Sequence, residues 1–190
     1  MKCDIVLAGV GGQGVLSLAV AIASGAMEEK LWVKQSEVHG MAQRGGAVMS
    51  TLRLSDHEIA SDLVPRGTAS IILSMEPMES LRYLPYLSPA GTLITSANPV
   101  RNIPDYPDLD GLLGHIRTLP RAIVVDAEKL AREAGSARAT NMVMVGAATR
   151  LLPIKAETIE KAVRGIFARK GEKVVEVNLR ALRAGQEAAR

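Results

Sequence analysis

The chain has 190 residues, 47% of them apolar and 23% charged, with a formal net charge of +3. That length suits one α/β domain over residues 1–190 with a sizeable core. No apolar run approaches the ~18 residues of a membrane span, and the single cysteine, Cys3, excludes an internal disulfide and any four-cysteine iron–sulfur or zinc site within the chain.

No leader pattern is read in Met1–Asp4, and the cytoplasm is the default compartment. Ile5–Ala8 is predicted as a buried strand and Val15–Met27 as a helix. Between them, Gly9, Gly11 and Gly14 have the G-x-G-x-x-G spacing of a strand-turn-helix. The glycines permit a tight turn and close backbone approach, and the turn aims N–H groups and a helix dipole outward. An anion fits there, and so does a carbonyl or carboxylate of a partner chain. Gly12 and Gln13 complete the turn, with Gln13 a ligand contact or a helix cap. No Lys-Ser/Thr pair follows Gly14, so this is not a Walker loop.

The second predicted strand is Leu31–Gln35. A dinucleotide site places an acid about 20 residues past the turn, near this strand's end. Lys34 and Gln35 stand there instead, and Glu37 comes two residues late. A polar loop, Ser36–Gly46, is expected next, at a strand's C-terminal end where doubly wound folds place ligands. Its Gly45-Gly46 pair permits unusual dihedrals, and Arg44 offers a fork to a carboxylate, phosphate or carbonyl. Ala47–Leu54 alternates as a strand, Ser55–His57 turns, and Glu58–Ser61 is predicted as a short return strand, giving a β-hairpin insertion.

Ala69–Ser74 is a continuous apolar strand suited to a parallel sheet. A helix from Glu76 to about Leu87, a strand over Gly91–Ser96 and a proline-bearing loop over Asn98–Asp108 follow. Then come a short helix (Leu109–Leu119), a strand (Ala122–Asp126) and helices over Ala127–Ala134, Thr140–Leu152, Ala156–Arg169 and Val177–Ala189. The alternation predicts a doubly wound, mostly parallel, Rossmann-like sheet with C-terminal helices. The three histidines, His39, His57 and His115, have no ligand spacing. Lys and Arg number 14 against 15 acids through residue 153, and 9 against 5 beyond it. The surplus is therefore C-terminal. With only Phe167 among it, a solvated face or an acidic partner is expected rather than nucleic acid.

Taken together, GVGGQGV at Gly9–Val15, SEVHGMAQRGGAV at Ser36–Val48, Asn141-Met142 and Asn178–Ala181 resemble the gamma-type domain of 2-oxoacid:ferredoxin oxidoreductases. The loop at Ser36–Gly46 is nearest to that of the small subunits acting on indolepyruvate. The resemblance implies a subunit of a complex that oxidatively decarboxylates 2-oxo acids to acyl-CoA and passes electrons to ferredoxin. Thiamine diphosphate, Mg, [4Fe–4S] clusters and CoA are implied for the complex, with none bound by this chain alone. Their holder is expected to be a larger thiamine- and iron–sulfur-bearing subunit. Candidate site residues are Gly9, Gly11, Gly12, Gln13, Gly14, Ser36, Glu37, His39, Gln43, Arg44, Gly45, Gly46 and Asn141. None is assigned as catalytic or as a metal ligand. Two other classes remain open: a stand-alone NAD(P)- or nucleotide-binding enzyme, and a metabolite-binding module. A lone subunit is expected to expose an apolar patch in Val38–Ala42 and the C-terminal helices, and to self-associate.

Overall fold

The computed structural model describes residues 1–39 and 45–190, with His39 described in its backbone alone. Six strands form one mixed sheet: β1 (Lys2–Val10), β2 (Trp32–His39), β3 (Ala47–Ser55), β4 (Ala69–Ser74), β5 (Leu87–Ser96) and β6 (Ala122–Val125). Their order is β2-β3-β1-β4-β5-β6. β1, β4, β5 and β6 run parallel, whereas β3 pairs antiparallel with both β1 and β2. The helices are α1 (Val15–Glu28), α2 (Pro77–Arg82), α3 (Leu109–Arg117), α4 (Ala127–Glu133), α5 (Thr140–Ala148), α6 (Ala156–Phe167) and α7 (Glu172–Ala188).

The continuous apolar strands divide by their two-residue period. Ile5 and Leu7 of β1, with Ile71 and Leu73 of β4, join the larger core beneath α1, α5, α6 and α7. Val6 and Ile72 point the other way, into a smaller core with Leu113 and Ile116 of α3. Both faces of the parallel strands are thus covered, as their lack of polar alternation predicts.

The hairpin falls elsewhere than expected. It joins β2 to β3, and Glu58–Ser61 forms no strand. The physical reason is that both edges of β3 are already paired, so no edge is left for a returning strand. The segment after β3 is held by side chains instead: Thr51 Oγ1 donates to the Asp62 carbonyl at 2.9 Å, and Arg53 donates to the Ser61 and Leu63 carbonyls. β2 also runs four residues further than predicted, because Ser36–His39 pair with Val48–Thr51. Part of the expected polar loop is therefore edge strand.

α5 and α7 cross in backbone contact at two glycines, Gly146 and Gly185. Leu179 and Leu182 of α7 are buried in this packing, so the C-terminal helices do not supply the expected apolar patch. Exposed large apolar residues include Leu16 (49%), Val20 (40%) and Met27 (62%) on α1 and Trp32 (51%) on β2, together with Val38 (65%), which belongs to the expected stretch. No helix among the described residues is long and apolar enough to cross a membrane.

Cys3 lies buried in β1. Burial, and then the adjacent Asp4 carboxylate, push its thiol up to about 11. Its thiolate fraction at pH 8 is correspondingly small, and the sulfur is inaccessible. Native protein at pH 8 is expected to resist iodoacetamide and to label fully in denaturant, as read by intact mass. Rapid native labelling would contradict this packing.

Candidate functional site

The C-terminal ends of the parallel strands open into a cleft of about 570 Å³. Gly12, Gln13 and Gly14 line one side, Ser96, Asn98 and Val100 another, and Arg132, Arg138, Thr140 and Asn141 the far wall. The starts of α1, α4 and α5 converge on it. A strand-end cleft with several helix N-termini favours an anionic ligand.

The glycine turn is tied down on three sides. Gly11 N–H donates to the Gly46 carbonyl at 2.8 Å, and Gly45 N–H donates to the Gly11 carbonyl at 3.2 Å. These bonds carry the β1–β3 ladder one step past its last pair, Val10 with Ala47. A carbonyl does occupy the turn, then, but it comes from the chain's own hairpin. Gln13 does not cap α1. Its Oε1 accepts from Val10 N–H at 2.8 Å and its Nε2 donates to the Met75 carbonyl at 3.0 Å, clamping the ends of β1 and β4 together. Asn141 Nδ2 donates to the Gly14 carbonyl at 2.9 Å, fixing the start of α5 to the start of α1.

Gly12 (φ 102°) and Gly14 (φ 78°) both have left-handed backbone, which disfavours any side chain. Only Gly14 is also crowded, with a Cβ there falling 2.5 Å from Asn141 Nδ2, whereas nothing lies within 4 Å at Gly12. We expect Gly12→Ala to cost about 1 kcal/mol and Gly14→Ala clearly more. Combining Gly14→Ala with Asn141→Ala removes the clash, so the double variant should be more stable than the sum of the singles implies. Urea denaturation of the four proteins reads this directly, and strict additivity would contradict the contact.

Glu76, fully buried at the end of β4, holds the opposite wall. Its Oε2 accepts from Glu79 N–H at 2.8 Å, starting α2, and its Oε1 accepts from Val100 N–H and from the Tyr106 hydroxyl. Burial and this carboxylate push the Tyr106 phenol up. Asn102, in the same loop, donates to the Gly45 carbonyl. Asn98 Oδ1 accepts from Ser96 Oγ at 2.9 Å and from Glu128 N–H at 2.9 Å, joining the loop to the start of α4. Arg132, one of the cleft's two arginines, pairs with Glu128 at 2.6 Å.

Of the predicted residues, Gly9, Gly11, Gly12, Gln13, Gly14, Gly45, Gly46 and Asn141 come together. Ser36 and Glu37 lie on edge strand β2 and do not line the cleft; Ser36 gives its carbonyl to Ser50 Oγ and Glu37 is exposed. His39 ends β2 opposite Val48. Gln43 and Arg44 lie outside the described residues. The sequence reading missed Ser96, Asn98, Glu76, Arg132 and Arg138. Ser96 and Asn98 carried a usable signal, since they end a buried parallel strand.

The topology also bears on dinucleotide binding. In a Rossmann unit the second strand lies parallel beside the first and presents the ribose-binding acid. Here antiparallel β3 takes that place, and β2 is one strand further out. Gly11 N–H, moreover, is already bonded. Among the described residues no three His, Cys, Asp or Glu side chains are placed to hold a metal ion. Cys3, the single cysteine, is buried, so the described residues offer no set of thiolates for an iron–sulfur cluster.

The model of the pyruvate ferredoxin/flavodoxin oxidoreductase family matches residues 4–188. The chain belongs to that family. Indolepyruvate oxidoreductase subunit IorB of Archaeoglobus fulgidus is 37% identical over 198 aligned positions, covering 100% of this chain and 96% of the relative. The gamma subunit of a keto/oxoacid ferredoxin oxidoreductase from Geobacter sulfurreducens superposes with a TM-score of 0.72 at 25% identity, covering 98% of both chains. A 2-oxoglutarate:ferredoxin oxidoreductase chain from Magnetococcus marinus shares the fold with a TM-score of 0.79 at 24% identity. This chain spans 31% of that larger one. The fold thus occurs both as a separate subunit and as part of a longer polypeptide.

Proposed function

We propose that this chain, acting as one domain, is the small subunit of an indolepyruvate-type 2-oxoacid:ferredoxin oxidoreductase. The complex oxidatively decarboxylates a 2-oxo acid to acyl-CoA and reduces ferredoxin. The observation that carries this reading is the end-to-end match to the indolepyruvate oxidoreductase subunit. The site supports it in kind, as a strand-end cleft that favours an anionic group.

Thiamine diphosphate, Mg and the [4Fe–4S] clusters belong to the larger chain, and CoA is the acyl acceptor. The substrate, ferredoxin and the larger subunit are the partners, in the cytoplasm. This chain's cleft supplies the amides of Gly12 and Gly14 and the guanidinium groups of Arg132 and Arg138 to an anionic group at the shared surface. Gly9, Gly11, Gln13 and Asn141 hold that surface in shape. Gln43 and Arg44 are kept as candidate contacts to the anionic group on the strength of the loop motif alone. Ser36, Glu37 and His39 are assigned to the β2 side of the same interface.

The test is turnover by the purified chain with indolepyruvate, thiamine diphosphate, magnesium, CoA and a viologen dye. No reduction above background is expected. Sustained reduction by this chain alone would overturn the proposal, and so would saturable NADH or NADPH binding at the glycine turn.

A further inference from the structure

A second cavity, of about 420 Å³, lies across Arg138 from the cleft, where the end of α6 meets the start of α7. Arg138 borders both cavities. Phe167, Val174 and Val177 give the second one an apolar wall, and Lys170 and Lys173 stand at its mouth. The Lys170 ammonium lies over the Phe167 ring, 5.4 Å from its centre.

The distribution of ion pairs singles this cavity out. Along the C-terminal helices, Lys161 pairs with Glu28, Arg164 with Glu172 and Glu176, and Arg183 with Glu160. Arg180 is occupied by the Ala134 carbonyl. Arg138, Lys170 and Lys173 form no ion pair among the described residues, and all three border the same hollow. Lys155, Arg169 and Arg190 are likewise without an ion pair among the described residues but do not border the hollow, so what marks it is the convergence of three such cations on one recess. Like charges held together raise the local potential and attract an anion.

The hollow is concave and partly apolar, within the roughly 300–1,000 Å³ of small-molecule sites. An acidic protein face needs the charges but not an aromatic-walled recess. Asn178 adds a polar clue. Its Nδ2 donates to the Val174 carbonyl at 2.8 Å, while its Oδ1 accepts nothing among the described residues. That oxygen suits an exocyclic amine.

We propose that this cavity binds a nucleoside phosphate. The base lies against Phe167, Val174 and Val177 with an amine toward Asn178, and the phosphate sits among Arg138, Lys170 and Lys173. The site shares Arg138 with the cleft but does not rest on the subunit assignment above.

Calorimetric titration of the full chain with ADP at low ionic strength tests it, with adenosine and inorganic phosphate as comparators. ADP should bind more tightly than either comparator and weaken as salt is raised. Lys170→Gln combined with Lys173→Gln should weaken ADP by about tenfold or more. Both lysines are exposed, so the melt of that variant should match the parent. Arg132→Gln, confined to the neighbouring cleft, should leave ADP affinity unchanged. Three results would each overturn the proposal: no ADP binding, phosphate binding as tightly as ADP, or an ADP affinity that responds to Arg132→Gln but not to the lysine pair. A lysine-pair variant that loses the larger subunit, in a chain whose parent never bound ADP, would mark a protein interface instead.

Discussion

Gly146→Ala is expected to destabilise the chain by about 3 kcal/mol or more, and Gly185→Ala by as much. A Cβ on Gly146 would fall 2.0 Å from the Leu182 carbonyl oxygen, and one on Gly185 would fall 1.9 Å from the Val143 oxygen. Both obstacles are helix backbone and cannot rotate aside. α5 and α7 would have to separate by about an ångström, loosening Val143, Val145, Leu179 and Leu182 in the main core. Stabilities of native domains are only about 5–15 kcal/mol, so either variant is close to the limit. Gly165→Ala is the control. That glycine lies within α6, and a Cβ there would meet nothing within 4 Å. Helix propensity alone then predicts a gain of up to about 1 kcal/mol. Urea midpoints of the three variants check the contrast, and parental stability in Gly146→Ala would refute the helix crossing.

Arg53→Met should cost about 3 kcal/mol, because it leaves the buried Asp4 carboxylate with only the exposed Lys2 ammonium, 2.9 Å from Oδ2, as a partner. Arg53 is 8% exposed and Asp4 1% exposed. The guanidinium donates Nε to Asp4 Oδ1 at 2.9 Å and a second nitrogen to Oδ2 at 3.2 Å. Its third nitrogen serves the Ser61 and Leu63 carbonyls at 2.9 and 2.8 Å. One side chain thereby fixes β1, β3 and the strandless segment after β3. Replacing both partners with apolar residues, Asp4→Leu with Arg53→Met, should recover much of the loss, since no buried charge is then left unpaired. Denaturation of the single and double variants reads the coupling. A single variant within about 0.5 kcal/mol of the parent would show that the pair contributes nothing.

The glycine turn, its strand and its helix were legible because the signal is local: three glycines at fixed spacing between an apolar run and a helical pattern. Asn141 was legible only as a motif residue. Its bond to Gly14 spans 127 positions, and no local pattern states such a contact. The antiparallel course of β3 was hidden for a similar reason. Ala47–Leu54 alternates as a strand in either direction, and what decides is which edges are open when it docks. Glu76 looked like a helix start, and it is one, since it caps Glu79. Its second role, holding Val100 and Tyr106, depends on where the loop returns. Gly146 and Gly185 gave no signal either, because a glycine inside a helix signals close approach only once its partner helix is placed.

This chain is proposed as one part of an enzyme whose cofactors lie in another. The direct measurement is to purify the complex from the native host through a tag on this chain, then assay it and its separated parts. A larger partner carrying thiamine diphosphate and iron–sulfur clusters is expected. Indolepyruvate- and CoA-dependent viologen reduction should require both chains and return when they are recombined. Full activity of the larger chain without this one, or a tagged chain that purifies alone and reduces viologen unaided, would contradict it.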